Sequence, residues 1–366
     1  MLLVYHKKPG NIDLVIQRNA TAIKNIATET DMYFFPSHKI SFKRKIKKLL
    51  ADSTVYTSKD KKSFFKNSNI ERYDVVYFEA SLLGNLAKET KRKFPNAKVV
   101  TFFHNCELQY FKSVPIKGLK SSLLNKLRMK AVKKNENNAI KYSDKIIVLS
   151  ERDKGKLYEL YPKSTKAKSP EQVTIIPITL PNRLDKNDIK KMVSAPPGNP
   201  PLGIFLGSCS KTLDCINFAS LQWFVNNIAP SVDAEFIIAG NDFSFAKNAL
   251  ECENVKVLGK QDDLKQLYLD ADFIIAPILT GSGMKTKTCE AMMFGKTVFG
   301  TTEAFSGYGD IDFEKIGGLC NNPEEFINKI NNFGGTGKFN EYSHNLYIEN
   351  FSDQVVHEKF RKVFDL

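Results

Sequence analysis

Residues 272–302, DFIIAPILTGSGMKTKTCEAMMFGKTVFGTT, allow very few folds. The run 272–278 is apolar throughout rather than alternating, which describes a strand buried on both faces of a parallel sheet. It breaks at Thr280-Gly281-Ser282-Gly283. A helical pattern follows over 284–294, Gly295 stops it, and a second apolar strand runs over 297–300. Strand, glycine loop, helix, strand is one βαβ unit. Glycines before a helix N-terminus let a ligand come close to the backbone, and the free N–H groups and helix dipole favour an anion there. Lys285 and Lys287 put positive charge into the first turn, the wrong sign for the dipole, and a bound phosphate would offset that cost. Glu290 lies three residues beyond Lys287, on the same face.

Strand-like and helix-like segments alternate along the rest of the chain. Strands are expected at 1–5, 31–36, 73–79, 98–103, 144–149 and 173–177, then at 202–206, 234–240 and 255–259. Helices are expected up to about 28, over 81–94 and 131–142, and from a Ser150 cap onward. Others are expected over 214–228 with Trp223 buried, over 264–270 and 323–332, and over 353–364 after Ser352. Residues 51–72 are polar and Lys-rich and read as a loop. Six prolines and glycines (Pro181, Pro196, Pro197, Gly198, Pro200, Pro201) mark a boundary between two doubly wound α/β domains, the number that 366 residues suit. Strand ends are where open α/β sheets place their sites. This draws attention to Gly10 after the first strand and to His104-Asn105-Cys106-Glu107 after the fourth.

The net charge of +14 is uneven. Residues 1–183 hold 37 Lys/Arg against 16 Asp/Glu, or +21, whereas residues 184–366 hold 17 against 24, or −7. A basic half joined to an acidic half suggests that only the first meets an anionic surface. In that half, Phe42, Ile46, Leu49 and Leu50 share one face of a helix covered elsewhere by Lys and Arg. Such a helix can lie in a membrane interface, or pack on a core with a solvated basic back. No run approaches the roughly 18 residues of a membrane span, and MLLVYHKK is too short for a signal peptide. A cytoplasmic protein, peripheral on the inner face of the membrane, is the expectation. The six cysteines (106, 209, 215, 252, 289, 320) contain no C-x-x-C pair and read as reduced thiols.

The succession of apolar strand, Pro277, Gly-x-Gly, Lys-x-x-Glu-Ala-Met and Gly-Lys-x-Val resembles the nucleotide-sugar site of GT-B-fold glycosyltransferases, in particular glycosyltransferase family 4 (group 1). The resemblance is dense over 202–331 and otherwise limited to 98–107 and 144–151. It implies two Rossmann-like domains facing across a cleft: an acceptor domain over 1–183, a linker over 184–201 and a donor domain over 202–345. A C-terminal helix, 346–366, would cross back onto the first. The donor diphosphate would meet Gly207, Ser208, Gly281, Ser282, Gly283, Met284 and Thr286, with Lys285 and Lys287 as cations. Glu290 would hold the ribose, and Gly259-Lys260-Gln261 the base. His104 would contact the transferred sugar or acceptor, with Gly10, Asn105 and Glu107 on the acceptor side. Lys211 and Glu303 stand near the donor loops without an assigned contact. The family often has a second glutamate eight residues before the Glu290 position; this chain has Ser282 there.

The activity so implied is retaining transfer of a sugar from a nucleotide-diphosphate sugar, UDP more often than GDP, to an acceptor hydroxyl. The basic first half points to a lipid-linked glycan in surface-polysaccharide assembly. No metal or other cofactor is expected, since no Asp-x-Asp motif sits in the donor region and lysines with a helix dipole can meet a leaving diphosphate. A second reading is a degenerate GT-B partner or chaperone subunit without catalysis. Nucleic acid is not an expected partner: Phe and Lys interleave over 61–66, but no recognised motif accompanies them.

Overall fold

Twelve strands among the described residues build two six-stranded sheets, and every adjacent pair runs parallel. The structure is a computed structural model that describes residues 1–6, 14–36, 41–113, 119–209, 215–334 and 337–366. Gly10 and Lys211 lie outside the described residues. The chain divides into two units, Met1–Pro177 with Val356–Leu366, and Ile178–Val355.

In the first unit the strands are β1 (Leu2–Tyr5), β2 (Asp31–Phe34), β3 (Val75–Phe78), β4 (Lys98–Phe103), β5 (Lys145–Val148) and β6 (Val173–Ile175). Their order is β2-β1-β3-β4-β5-β6. Winding reverses between β1 and β3, and at such a switch the carboxyl ends of the strands open a crevice. β1 and β3 are buried along their whole length, as unbroken apolar runs in a parallel sheet must be. Helices Gly84–Lys93 and Leu119–Tyr142 cover one face. They approach so closely that a Cβ on Gly84 would lie 1.9 Å from the Asn135 carbonyl oxygen, so no side chain fits there.

Three local expectations fail here. Residues 51–72 contain helix Ser58–Asn67, opened by a capping box in which Thr57 and Asp60 satisfy each other's backbone N–H. The Lys-rich composition obscured that signature. The helix expected over 131–142 starts at Leu119 and runs 24 residues. The helix expected over 81–94 is shorter: a 3₁₀ turn over Ser81–Leu83 precedes helix Gly84–Lys93. The basic helix Phe42–Leu50 has no buried residue, and Phe42 and Leu50 are 59% and 80% exposed. Val356–Leu366 belongs to this unit, where the Phe364 ring meets Tyr77 edge-on and Asp365 pairs with Lys98.

In the second unit the strands are β7 (Leu202–Ser208), β8 (Glu235–Asn241), β9 (Val255–Gly259), β10 (Phe273–Ala276), β11 (Thr297–Gly300) and β12 (Gly317–Leu319). The order β12-β11-β10-β7-β8-β9 puts the switch between β7 and β10. Residues 184–201, expected as a linker, hold helix Lys186–Ser194, capped by Asp185. Buried Asp272 accepts from the N–H groups of Gly198 and Leu202 at 3.1 and 2.7 Å, which ties the following turn to β10. Trp223 is half-buried. Its neighbour Phe224 takes the core position, packing on Phe236 and Phe326. Helix Glu341–Asn350 has no counterpart in the sequence reading. It packs on helix Thr286–Met293 through His344, whose Nδ1 lies 2.9 Å from the Met293 carbonyl oxygen. The cysteines are not all reduced: Cys209 and Cys215 form a disulfide. The end of β7 and the cap of helix Ile216–Asn227 bring their Cα atoms to 6.0 Å, a separation a disulfide spans. A spacing of six residues carries no such signal.

Candidate functional site

The loop from β10 ends in Gly283, which has φ +62°, a conformation that glycine adopts without a Cβ clash. The next helix is Thr286–Met293, with Lys285 at its N-cap. It begins two residues later than the sequence suggested, so the amides left without a helical partner are those of Lys285, Thr286 and Lys287 rather than Gly283 and Met284. Met284 is buried.

The two lysines point to different tasks. Lys285 folds back: its ammonium donates to the carbonyl oxygens of Ser282 (3.3 Å) and Gly283 (2.8 Å) and pairs with Glu303 at 2.7 Å. It thereby shapes the glycine loop, and Gly281 packs against this pair. Lys287 reaches across the switch to the end of β7. Its Nζ lies 3.9 Å from the centre of the Phe205 ring and donates to Asn217 Oδ1 at 3.1 Å. Asn217 Nδ2 donates to the Ser208 carbonyl oxygen at 2.5 Å, and a Cβ on Gly207 would lie 3.3 Å from Lys287 Nζ. Burial, and then the nearby Lys285 charge, push the Lys287 pKa down to about 7. A poorly solvated ammonium held next to another cation is poised to gain from a bound anion.

Glu290, one turn on, is engaged at both oxygens. Arg183 donates to Oε1 at 3.0 Å and the Tyr268 hydroxyl to Oε2 at 3.4 Å. Phe294 stacks on Tyr268 at 4.3 Å, and the Arg183 guanidinium lies 5.2 Å from the Phe294 ring centre. Gly207, Ser208, Gly281, Ser282, Gly283, Lys285, Thr286, Lys287 and Glu290 thus come together at the β7/β10 switch. Gly259, Lys260 and Gln261 do not join them. Gly259 ends the edge strand β9 and Lys260-Gln261 follow it, with Gln261 Nε2 donating back to the Leu258 and Lys260 carbonyl oxygens. Asn217, Arg183 and Tyr268 were not identified from the sequence. Asn217 follows a Gly-Ser strand end and could have been suspected; Arg183 and Tyr268 arrive from distant segments.

The first unit gathers a separate polar group after β3 and β4. His104 Nε2 lies 2.8 Å from an oxygen of buried Glu79. Glu107 opens helix Glu107–Ser113, and its carboxyl pKa is raised by burial against the opposing influence of His104. Buried Glu136, on helix Leu119–Tyr142, accepts from the Glu107 and Leu108 N–H groups at 2.7 and 3.1 Å and from the Tyr161 hydroxyl at 2.5 Å. It caps the turn that carries His104, Asn105 and Cys106, and burial pushes its own pKa up to about 7. No cluster of His, Cys, Asp or Glu among the described residues could hold a metal ion.

Residues 202–333 match the family model described as Glycosyl transferases group 1. An uncharacterized 44.6 kDa protein in the cps region of Klebsiella pneumoniae is 25% identical over 319 residues, 78% of this chain and 73% of that protein. Among solved structures, the lipopolysaccharide outer core galactosyltransferase WaaB in its apo form has a TM-score of 0.65 at 12% identity, covering 100% of this chain and 99% of its own. Anabaena HepE in complex with UDP has a TM-score of 0.67 at 14% identity, with 100% and 99% covered. The two parallel sheets give the chain the GT-B fold of those structures, and residues 202–333 match a group 1 glycosyl transferase domain.

Proposed function

We propose that the protein transfers a hexose from a UDP-sugar, with retention of configuration, to a hydroxyl of a lipid-linked glycan in surface-polysaccharide assembly. The observation that carries this reading is Lys287, held against Asn217 and the Gly207-Ser208 strand end beside a helix N-terminus. Breaking a glycosyl–phosphate bond leaves negative charge on the departing diphosphate. Donors and cations already aimed at that charge lower the barrier. Lys287 and the amides of Lys285, Thr286 and Lys287 meet it. Gly281, Ser282, Gly283 and Met284 line the approach, and Glu290 binds the ribose hydroxyls. His104, Asn105 and Glu107 serve the sugar and acceptor. UDP is favoured because HepE was solved with UDP, and a glycan acceptor because one relative lies in a cps region and WaaB acts on lipopolysaccharide.

The direct test is incubation with a panel of UDP- and GDP-sugars and a polyprenyl-diphosphate-linked saccharide. Mass spectrometry reads the mass gain, and the proton coupling at the new anomeric centre reads retention. Growth by one hexose from one UDP-sugar is the expected result. Nucleotide binding with no transfer across the panel would favour the non-catalytic partner instead.

Helix Phe42–Leu50 supports a peripheral membrane location on the cytoplasmic face. It carries five Lys or Arg and leaves Phe42 and Leu50 in solvent. Each basic residue near an anionic leaflet contributes on the order of 1 kcal/mol, and each inserted apolar side chain adds to that. Among the described residues no helix is long and apolar enough to cross a membrane. The protein is expected to co-sediment with phosphatidylglycerol vesicles at low salt but not with phosphatidylcholine vesicles. Phe42→Ser with Leu50→Ser should weaken that binding by at least about tenfold. Equal binding to both vesicle types would exclude this surface.

A further inference from the structure

Three adjacent strands of the first unit deliver polar side chains to the β1/β3 switch: Tyr5 closes β1, Glu79 follows β3 and His104 follows β4. Glu79 is 0% exposed. Its Oε1 accepts from Asn19 Nδ2 at 3.0 Å and lies 2.8 Å from His104 Nε2, while its Oε2 is buried and has no hydrogen-bond partner among the described residues. Burial and then the Glu79 charge raise the pKa values of the Tyr5 and Tyr77 hydroxyls. An ionised carboxylate this deep costs several kcal/mol unless it is paired.

The His104 approach decides what the carboxylate does. At 2.8 Å the contact is an electrostatic pair rather than an aligned hydrogen bond. An unprotonated Nε2 would set two partly negative atoms 2.8 Å apart, whereas Nε2–H is attracted to the carboxylate. The proton therefore belongs on Nε2, which leaves Nδ1 as the acceptor nitrogen, because the partner of one ring nitrogen sets the tautomer at the other.

We propose that Glu79 is a positioning residue for sugar transfer: it holds the His104 proton on Nε2 and leaves Nδ1 as the nitrogen offered to an acceptor hydroxyl. This rests on the glycosyl-transfer reading above. Nδ1 accepts the hydroxyl's hydrogen bond and orients its oxygen for attack. The Glu107 carboxyl also interacts electrostatically with His104.

Long-range proton–nitrogen spectra of the ¹⁵N-labelled full chain at pH 8.5 test the tautomer directly. The chain has five histidines, and His104→Gln identifies the signal. The expected pattern for His104 is the Nε2–H tautomer; an Nδ1–H pattern overturns the proposal. In steady-state assays Glu79→Ala should lower kcat with the acceptor by about 100-fold while KM for the nucleotide-sugar stays within about twofold. Glu79→Gln keeps an oxygen for Nε2–H and should recover at least about tenfold of that loss. Equal losses in Glu79→Ala and Glu79→Gln, with the tautomer unchanged, would reduce Glu79 to a packing residue. If Glu79→Ala does not fold, the wild-type spectrum still decides. If the chain transfers no sugar at all, the function proposed above fails while the tautomer is still read.

Discussion

Lys287→Ala is expected to lower kcat/KM for the nucleotide-sugar by about 10²–10³, the loss seen when one pre-aimed donor to a developing oxyanion is removed. Lys287 donates to the Asn217 amide oxygen, and its ammonium also lies over the Phe205 ring. Lys285→Ala should cost less, because Lys285 is already spent on loop carbonyl oxygens and Glu303. The titration of Lys287 adds a signature. Burial holds its pKa at about 7 in the donor-free protein. A bound diphosphate favours the ammonium, so binding above pH 7 takes up a proton and affinity falls as pH rises from 7 toward 9. Calorimetric titration with UDP in two buffers of different ionisation enthalpy measures that uptake, which should vanish in Lys287→Ala. The same titration with Glu290→Ala should show weakening by roughly 1–3 kcal/mol for a lost charged hydrogen bond to ribose. Undiminished UDP binding in both variants would remove the β7/β10 switch as the donor site.

Glu136→Ala should destabilise the first unit by about 3 kcal/mol, since it strands two backbone N–H groups and the Tyr161 hydroxyl in a buried setting. For a unit of this size that corresponds to a fall in Tm of roughly 6–12 °C. The carboxyl also gives stability a pH slope. Burial raises its folded-state pKa to about 7, although Tyr161 and the two amides pull the other way, while the unfolded chain titrates near 4.5. Folding therefore favours the protonated form. This contribution is fully present below about pH 4.5 and is lost as pH rises through 7. Glu136→Gln lacks the slope, so urea unfolding should show its deficit relative to wild type shrinking between pH 5 and pH 8. A constant deficit would mean that Glu136 does not titrate in this range. The link to function is the turn that Glu136 caps, because His104 stands on it.

The glycine loop and helix after β10 were the easier part to anticipate. Gly281 to Glu290 lie within one strand–loop–helix segment, and local rules about glycine, helix starts and apolar runs act over that distance. Lys285 and Lys287 were indistinguishable in sequence, two residues apart with the same charge. Only Glu303 on one side and Asn217 on the other separate their roles. Trp223 shows the same limit in the core: a helical pattern says that one face is buried, but its rotation gave that place to Phe224. Gly259-Lys260-Gln261, a base contact by resemblance, follows β9 at the sheet edge, with β7 and β8 between it and β10.

What the amino-acid order determined by itself was therefore the local chemistry. It held the unbroken apolar strands that demand parallel sheets, the glycine loop before a helix, and the uneven charge that separates the two halves. The tertiary structure decided which residues meet across distance. Arg183 reaches Glu290 from 107 residues away, Glu136 caps a helix 29 residues upstream, and Glu79 finds Asn19 60 residues earlier and His104 on the neighbouring strand end. The reason is physical: periodicity and propensity act over a few residues, whereas buried charges must find partners wherever strand order brings them. That order becomes visible only once the sheets have formed.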